Sequence, residues 1–383
     1  MTHLPPALSL RKNLLRAAIA LATVFATLST ALAAGDLRIG VTAGITGPVS
    51  ASVTELLQGA RLYLDDVNRN GGVAGRKIAL ETLDDGFDPK RAGENARMLI
   101  EEKNVLALFL SRGTPHTEAI MPLLQKHHVP LVAPSTGAML LHHPVNPYIF
   151  NVRPTYQVES HEIVRQFAQL GLTRIGVLFP DDSFGADAFA GAMNGFNEAK
   201  LKPLFAEKFD RVKPVMTPYV QTAIKTQAQA VLVIGTQATV AEFVKSLRAA
   251  GSSAQVATLS NNASGGFVRM LGHDATGIIV TQVFPSERTG ATAMSREAQT
   301  LAKKANIAEL TPAMMEGFAA AKVLVQGLRR AGPNPTRDSL RKGLETMSDF
   351  ELGGVVTSYS PTDHSGVDYV EMSVIAADGR FRR

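Results

Sequence analysis

Two short stretches carry side chains and backbone groups suited to holding a negative charge. Thr114-Pro115 follows the apolar run Val105–Leu110 and precedes helically spaced Ile120, Leu123 and Leu124. This places Thr114 as the N-cap, its hydroxyl beside the free N–H groups of a helix N-terminus, a ready site for a carboxylate. Pro134-Ser135-Thr136-Gly137 follows a second short run, Pro130–Ala133, and is rich in small donors. In open α/β sheets ligands bind beyond the carboxyl ends of strands, where both stretches fall. Ordinary capping accounts for them equally well.

Other patterns carry less. Gly71-Gly72-Val73-Ala74-Gly75 follows a helix and opens a strand, the reverse of a phosphate loop, and reads as a turn. His127-His128 and His142-His143 are adjacent pairs whose side chains diverge, so they read as surface or capping residues rather than metal ligands. Asp84-Asp85 reads as a solvated turn, with no third carboxylate at coordinating spacing. No nucleophile elbow, phosphate-loop motif, zinc-helix motif or acid–base pair is present, so no catalytic residue, metal or cofactor is expected and the chain is not read as an enzyme.

The elements around these loops alternate. Leu37–Thr42, Lys77–Leu83, Val105–Leu110, Arg174–Phe179, Ala230–Ile234 and Val256–Leu259 read as strands. The spacing of Leu56, Leu57, Ala60, Tyr63, Leu64 and Val67 predicts a helix, stopped at Asn70-Gly71-Gly72. Asp88-Pro89 opens another. Ser183–Ala199, Thr217–Thr226, Thr239–Ala250, a stretch around Ala298–Lys304 and Met314–Arg330 are further helices. Gly277–Phe284 is extended, and Tyr369–Ala376 is a last strand. This alternation predicts two doubly wound parallel-sheet α/β lobes.

The chain has 383 residues, 45% hydrophobic and 19% charged, which suits about two globular domains. Arg11, Lys12 and Arg16, the apolar run Ala17–Leu28 and the small residues Ala31-Leu32-Ala33 read as a secretory signal peptide, residues 1–33, cut near Ala33. The run is short for a membrane span. Cutting there removes three positive charges and takes the net charge from +5 to +2, which calls for no nucleic acid. Cysteine is absent, which excludes disulfides, thiolate sites and a lipid on cysteine, and favours a free protein in an enclosed periplasm.

The chain resembles the type I periplasmic solute-binding proteins of the branched-chain amino acid (leucine/isoleucine/valine-binding) family. The resemblance rests on Gly44-Ile45-Thr46-Gly47-Pro48, Val67 to Lys77 (VNRNGGVAGRK), Leu83 to Pro89 (LDDGFDP), Gly113-Thr114-Pro115, Val129-Pro130, Asp182-Ser183-Phe184-Gly185 and Ala249-Ala250-Gly251. It implies a three-segment hinge, with crossings near Arg153-Pro154, Gln282-Val283 and Gly366-Val367. The lobes are then 34–153 plus 283–366, and 154–282 plus 367–383. It also implies a monomer that closes on its solute and delivers it to an ABC-type permease, with transfer to a separate sensor protein as the alternative, and without chemistry on the solute.

Site residues follow by position. Thr114 matches the residue that holds a ligand carboxylate. Ser135, Thr136 and Gly137 match the loop that contacts carboxylate and ammonium. Ser52 lies where an aromatic often covers the side chain. Phe184 and Gln237 match two ligand-packing tyrosines, and Asn261 an acid that pairs with an ammonium. Gly137 lacks the expected hydroxyl and Asn261 the expected charge. Arg112 either clamps an acid or stands in solvent. Leucine-like amino acids are the family default, and aromatic or aliphatic organic acids the rival.

Overall fold

The computed structural model describes residues 35–383, and the stretch read as a signal peptide lies outside them. The chain begins with β1 (Leu37–Ala43), α1 (Ser50–Arg69), β2 (Ile78–Asp84), α2 (Pro89–Arg97), β3 (Ala107–Phe109), α3 (Thr114–His127), β4 (Leu131–Val132) and β5 (Ile149–Phe150). These strands form a parallel sheet ordered β2-β1-β3-β4-β5. Side chains alternate along each strand, so both sheet faces are buried. Phe109 and Val132 enter one core, Leu108 and Leu131 the other.

The second lobe follows with α4 (Tyr156–Gln169), β6 (Ile175–Pro180), α5 (Ser183–Glu198), β7 (Phe205–Phe209), α6 (Thr217–Lys225), β8 (Ala230–Val233), α7 (Gln237–Ala249), β9 (Gln255–Thr258), α8 (Gly265–Leu271) and β10 (Ile279–Gln282). The chain then returns to the first lobe as α9 (Ala293–Lys304), α10 (Pro312–Arg330), α11 (Arg337–Glu345) and a hairpin of β11 (Phe350–Glu351) and β12 (Val356–Thr357). It ends in the second lobe as β13 (Glu371–Ile375) and β14 (Phe381–Arg382), giving the sheet order β14-β13-β10-β9-β8-β6-β7. The two last strands pair antiparallel at the edge of this otherwise parallel sheet.

In the first lobe α10 lies directly on α1. An added Cβ on Gly59 would fall 1.9 Å from the Met314 carbonyl oxygen, and one on Gly317 1.9 Å from that of Leu56. Only paired glycines let these two backbones meet, which seats the returning helices on the first core. At the last crossing Gly366 has φ of 83°, and a Cβ there would lie 2.2 Å from the Asn151 carbonyl oxygen.

A buried charge cluster ties the hinge together. Arg153 donates Nη2 to Glu159 at 2.6 Å and to the Ser260 hydroxyl at 2.5 Å. The other Glu159 oxygen accepts from the Ser260 backbone N–H and the Thr281 hydroxyl. Glu316, on α10, approaches Arg153 at 3.7 Å from the opposite side.

Two local readings are corrected. Asp84 and Asp85 are not one solvated turn. Asp84 accepts from the Thr46 N–H and hydroxyl and the Gly86 N–H, and these bonds outweigh burial to lower its pKa to about 2. Asp85 is fully buried, and burial raises its pKa to about 6 despite bonds from Phe87 N–H and Thr42. His142 is buried rather than at the surface, and burial lowers its pKa to about 4.

Candidate functional site

Both sheets reverse strand order where their carboxyl ends face the other lobe, between β1 and β3 and between β6 and β8. The loops after these strands meet at a narrow cavity of about 30 Å³. After β3 the chain passes through Ser111-Arg112-Gly113 into α3. Gly113, with φ of 97°, occupies the N-cap position, so Thr114 is the first helical residue and not the cap expected. Its hydroxyl pairs with that of Thr136 at 2.7 Å.

Arg112 is 4% exposed and lines the cavity. Nη1 donates to the Ser135 hydroxyl at 2.8 Å. Nη2 donates to Ser52 Oγ at 3.4 Å and, across the lobes, to the Asn261 carbonyl at 2.7 Å. Ser135 passes its own hydrogen to Glu316 at 2.7 Å. Among the described residues no carboxylate comes within 4.0 Å of Arg112. Burial pushes its pKa down, partly offset by Tyr156 and Glu316. Three of its five N–H groups are used, leaving donors for an anion.

The other walls are mostly apolar. Val49 and Phe87 come from the first lobe, Phe184 and Phe209 from the second, and Tyr156 from the hinge end of α4. Arg211 of the second lobe also lines the cavity. Its guanidinium lies 4.7 Å over the Phe87 ring of the opposite lobe and donates to Asp182 at 2.8 Å. Asp182 also caps α5 through the Gly185 N–H, so both its oxygens are engaged.

Comparison with known proteins fits this architecture. The family described as Periplasmic binding protein matches residues 36–380. The chain belongs to the periplasmic binding protein family. Leu/Ile/Val-binding protein homolog 3 of Brucella melitensis is 25% identical over 356 residues, 88% of this chain and 91% of the relative. Leu/Ile/Val-binding protein BraC3 of Rhizobium johnstonii is 39% identical, but the matched 80 residues span only 22% of its length and 21% of this chain. The crystal structure of a substrate-binding periplasmic protein from Ralstonia solanacearum superposes with a TM-score of 0.83 at 29% identity, over 90% of this chain and 99% of that one.

In this periplasmic binding protein Arg112, Thr114, Phe184 and Asn261 stand on the cavity wall. Ser52 and Ser135 sit behind Arg112, and Thr136 behind Thr114. Gly137 is placed elsewhere: its carbonyl accepts from Tyr156 N–H at 2.6 Å, and a Cβ would lie 2.5 Å from the Pro154 oxygen. Its missing side chain serves the hinge. Gln237 is buried at the start of α7 and donates to Ser264, away from the wall. Sequence reading misses Phe87, Tyr156, Asp182, Phe209 and Arg211 as wall residues. The Asp88-Pro89 cap signal lies beside Phe87, whereas the loop carrying Arg211 has no periodicity to mark it.

Proposed function

We propose that this periplasmic binding protein captures a small acid with an apolar aliphatic or aromatic body and presents it to an ABC-type permease. One observation carries the reading. Arg112 is a buried cation on the cavity wall with spare donors and, among the described residues, no carboxylate in ion-pair range. A buried charge of this kind is costly until a partner arrives, and the spare Nε and Nη1 hydrogens can give a carboxylate charge-assisted hydrogen bonds. The surrounding Val49, Phe87, Phe184 and Phe209 suit an apolar body.

The mechanism is hinge closure of a monomer in the periplasm, after export and cleavage near Ala33. The lobes are 34–153 plus 283–366, and 154–282 plus 367–383. Ligand binds the first lobe through Arg112 and the amide-rich start of α3 near Thr114. Asn261 and Phe184 are brought up only on closure, so binding shifts the population toward the closed form. The solute is unchanged by the encounter.

Branched-chain amino acids are the second reading, favoured by the names of the relatives. They need a partner for the ammonium, and Asp182, the carboxylate on the wall, is held by Arg211 and the α5 cap. Calorimetry on the mature chain with 4-methylpentanoate, phenylacetate and leucine separates the readings. The acids are expected to bind tighter than leucine. In Arg112→Met their affinity should fall at least 100-fold. Equal affinity of the variant for the acids, or exclusive binding of leucine, sinks the proposal.

A further inference from the structure

The side chain of Asn261 narrows the ligand further, on the premise that Arg112 holds its carboxylate. Asn261 lies in the short helical turn Ser260–Asn262, at the carboxyl end of β9. Its backbone oxygen is the one that receives Arg112 at 2.7 Å, so the residue and the cation stand side by side. Its Nδ2 donates to the Gly235 carbonyl at 3.0 Å and to Asn262 Oδ1 at 3.3 Å. Turning the amide over would set two oxygens against each other at Gly235, so the donors fix which arm is which. The remaining arm, Oδ1, is the one buried side-chain polar atom without a partner among the described residues that line the cavity. Asn261 itself is 8% exposed. A buried acceptor left unpaired is unfavourable, and a donor on a ligand relieves it.

That donor sits close to the carboxylate, because Arg112 and Asn261 are adjacent. An ammonium would bring a positive charge next to Arg112, and the charge of Asp182 is already balanced by Arg211. A hydroxyl donates one hydrogen without charge. We propose that the ligand is a 2-hydroxy acid: its carboxylate on Arg112, its 2-hydroxyl donating to Asn261 Oδ1, and its apolar body against Phe87, Phe184 and Phe209.

Matched ligands test this. Calorimetry compares 2-hydroxy-4-methylpentanoate with 4-methylpentanoate and leucine, and mandelate with phenylacetate and phenylglycine. At least one hydroxy acid is expected to bind tenfold or more tighter than both its counterparts. If the deoxy acids bind as tightly as the hydroxy acids, the hydroxyl assignment fails while the organic-acid reading stands. If only amino acids bind, or none of the six does, both readings fall. The variant Asn261→Ala removes the acceptor and adds no charge. It should lose hydroxy acid affinity tenfold or more, with little change for the deoxy acid. Equal losses for all three ligands would remove Asn261 from recognition. Melting temperature of the unliganded variant establishes that it is folded.

Discussion

Glu55, on the first helix of one lobe, accepts the backbone N–H of Gly266 of the other lobe at 2.8 Å. Its second oxygen accepts from Gly265 at 3.0 Å. A carboxylate thus caps the N-terminus of α8 from across the cleft, next to Ser264, which caps it from within. A Cβ on Gly266 would come 2.3 Å from that of Ala51, so α1 and α8 touch at this point. Charge at a helix N-terminus and satisfied terminal N–H groups both favour the contact.

On the proposed hinge closure this contact belongs to the closed form, and Glu55 does not line the cavity. Glu55→Ala should therefore weaken ligand binding without touching the cavity. Losing a cap costs about 1 kcal/mol, which corresponds to roughly fivefold in Kd. Calorimetry reads the affinity, and small-angle scattering of the unliganded variant should show a larger radius of gyration. An unchanged Kd would mean that the cap does not bias closure.

Gly137→Ala tests the correction at the Ser135 loop. If the residue served only the ligand, a methyl would alter affinity and leave stability alone. The structure instead places a Cβ 2.5 Å from the Pro154 oxygen and 2.8 Å from the Tyr156 nitrogen. Overpacking of this kind costs about 1–3 kcal/mol. The urea midpoint should drop in the absence of any ligand. A midpoint equal to wild type would restore the glycine to the binding loop.

The contrast between Gly137 and Arg112 shows how far the sequence can be read. Alternating apolar runs mark most strands, because a sheet buried on both faces needs them. The Asp88-Pro89 capping pair marks a helix start. What local pattern cannot register is which distant backbone lies against a residue. In sequence Gly137 stands out by its lost hydroxyl, while its neighbour across the hinge, 17 positions on at Pro154, decides its type. Arg112 falls between solvent and cleft because its partners Ser135 and Asn261 are 23 and 149 residues away. The strand β7 escapes notice because its exposed positions break the apolar run, and Arg211 beyond it goes unseen with it.

Arg153 makes a third prediction. It is 1% exposed and faces Glu159, which is fully buried. Removing one partner of a buried pair strands the other charge and costs about 3–5 kcal/mol. Arg153→Met should be strongly destabilised. Adding Glu159→Gln should return part of the loss, since a neutral amide still accepts from Ser260 or Thr281. Urea denaturation of both variants reads the difference. A double variant no more stable than the single one would show that the charge of Glu159 is not the source of the cost.

Asp85 predicts a pH dependence of stability. Burial raises its pKa from 3.8 to about 6, against the opposing bonds from Phe87 N–H and the Thr42 hydroxyl. Between these values the folded chain holds a proton that the unfolded chain has released. The sign follows from linkage: this contribution is full below about pH 3.8, falls as pH rises, and is gone above about 6. A pKa moved this far bounds the contribution at about 3 kcal/mol. Neighbouring Asp84 is partly exposed and lowered to about 2, so its opposite effect falls at lower pH. Asp85→Asn copies the protonated form, with Oδ1 placed to accept from Phe87 and Nδ2 to donate to Thr42. The variant should match wild type near pH 4 and exceed it at pH 7 and above, in urea midpoints taken across that range. Parallel curves for the two proteins would show that Asp85 does not titrate in this window.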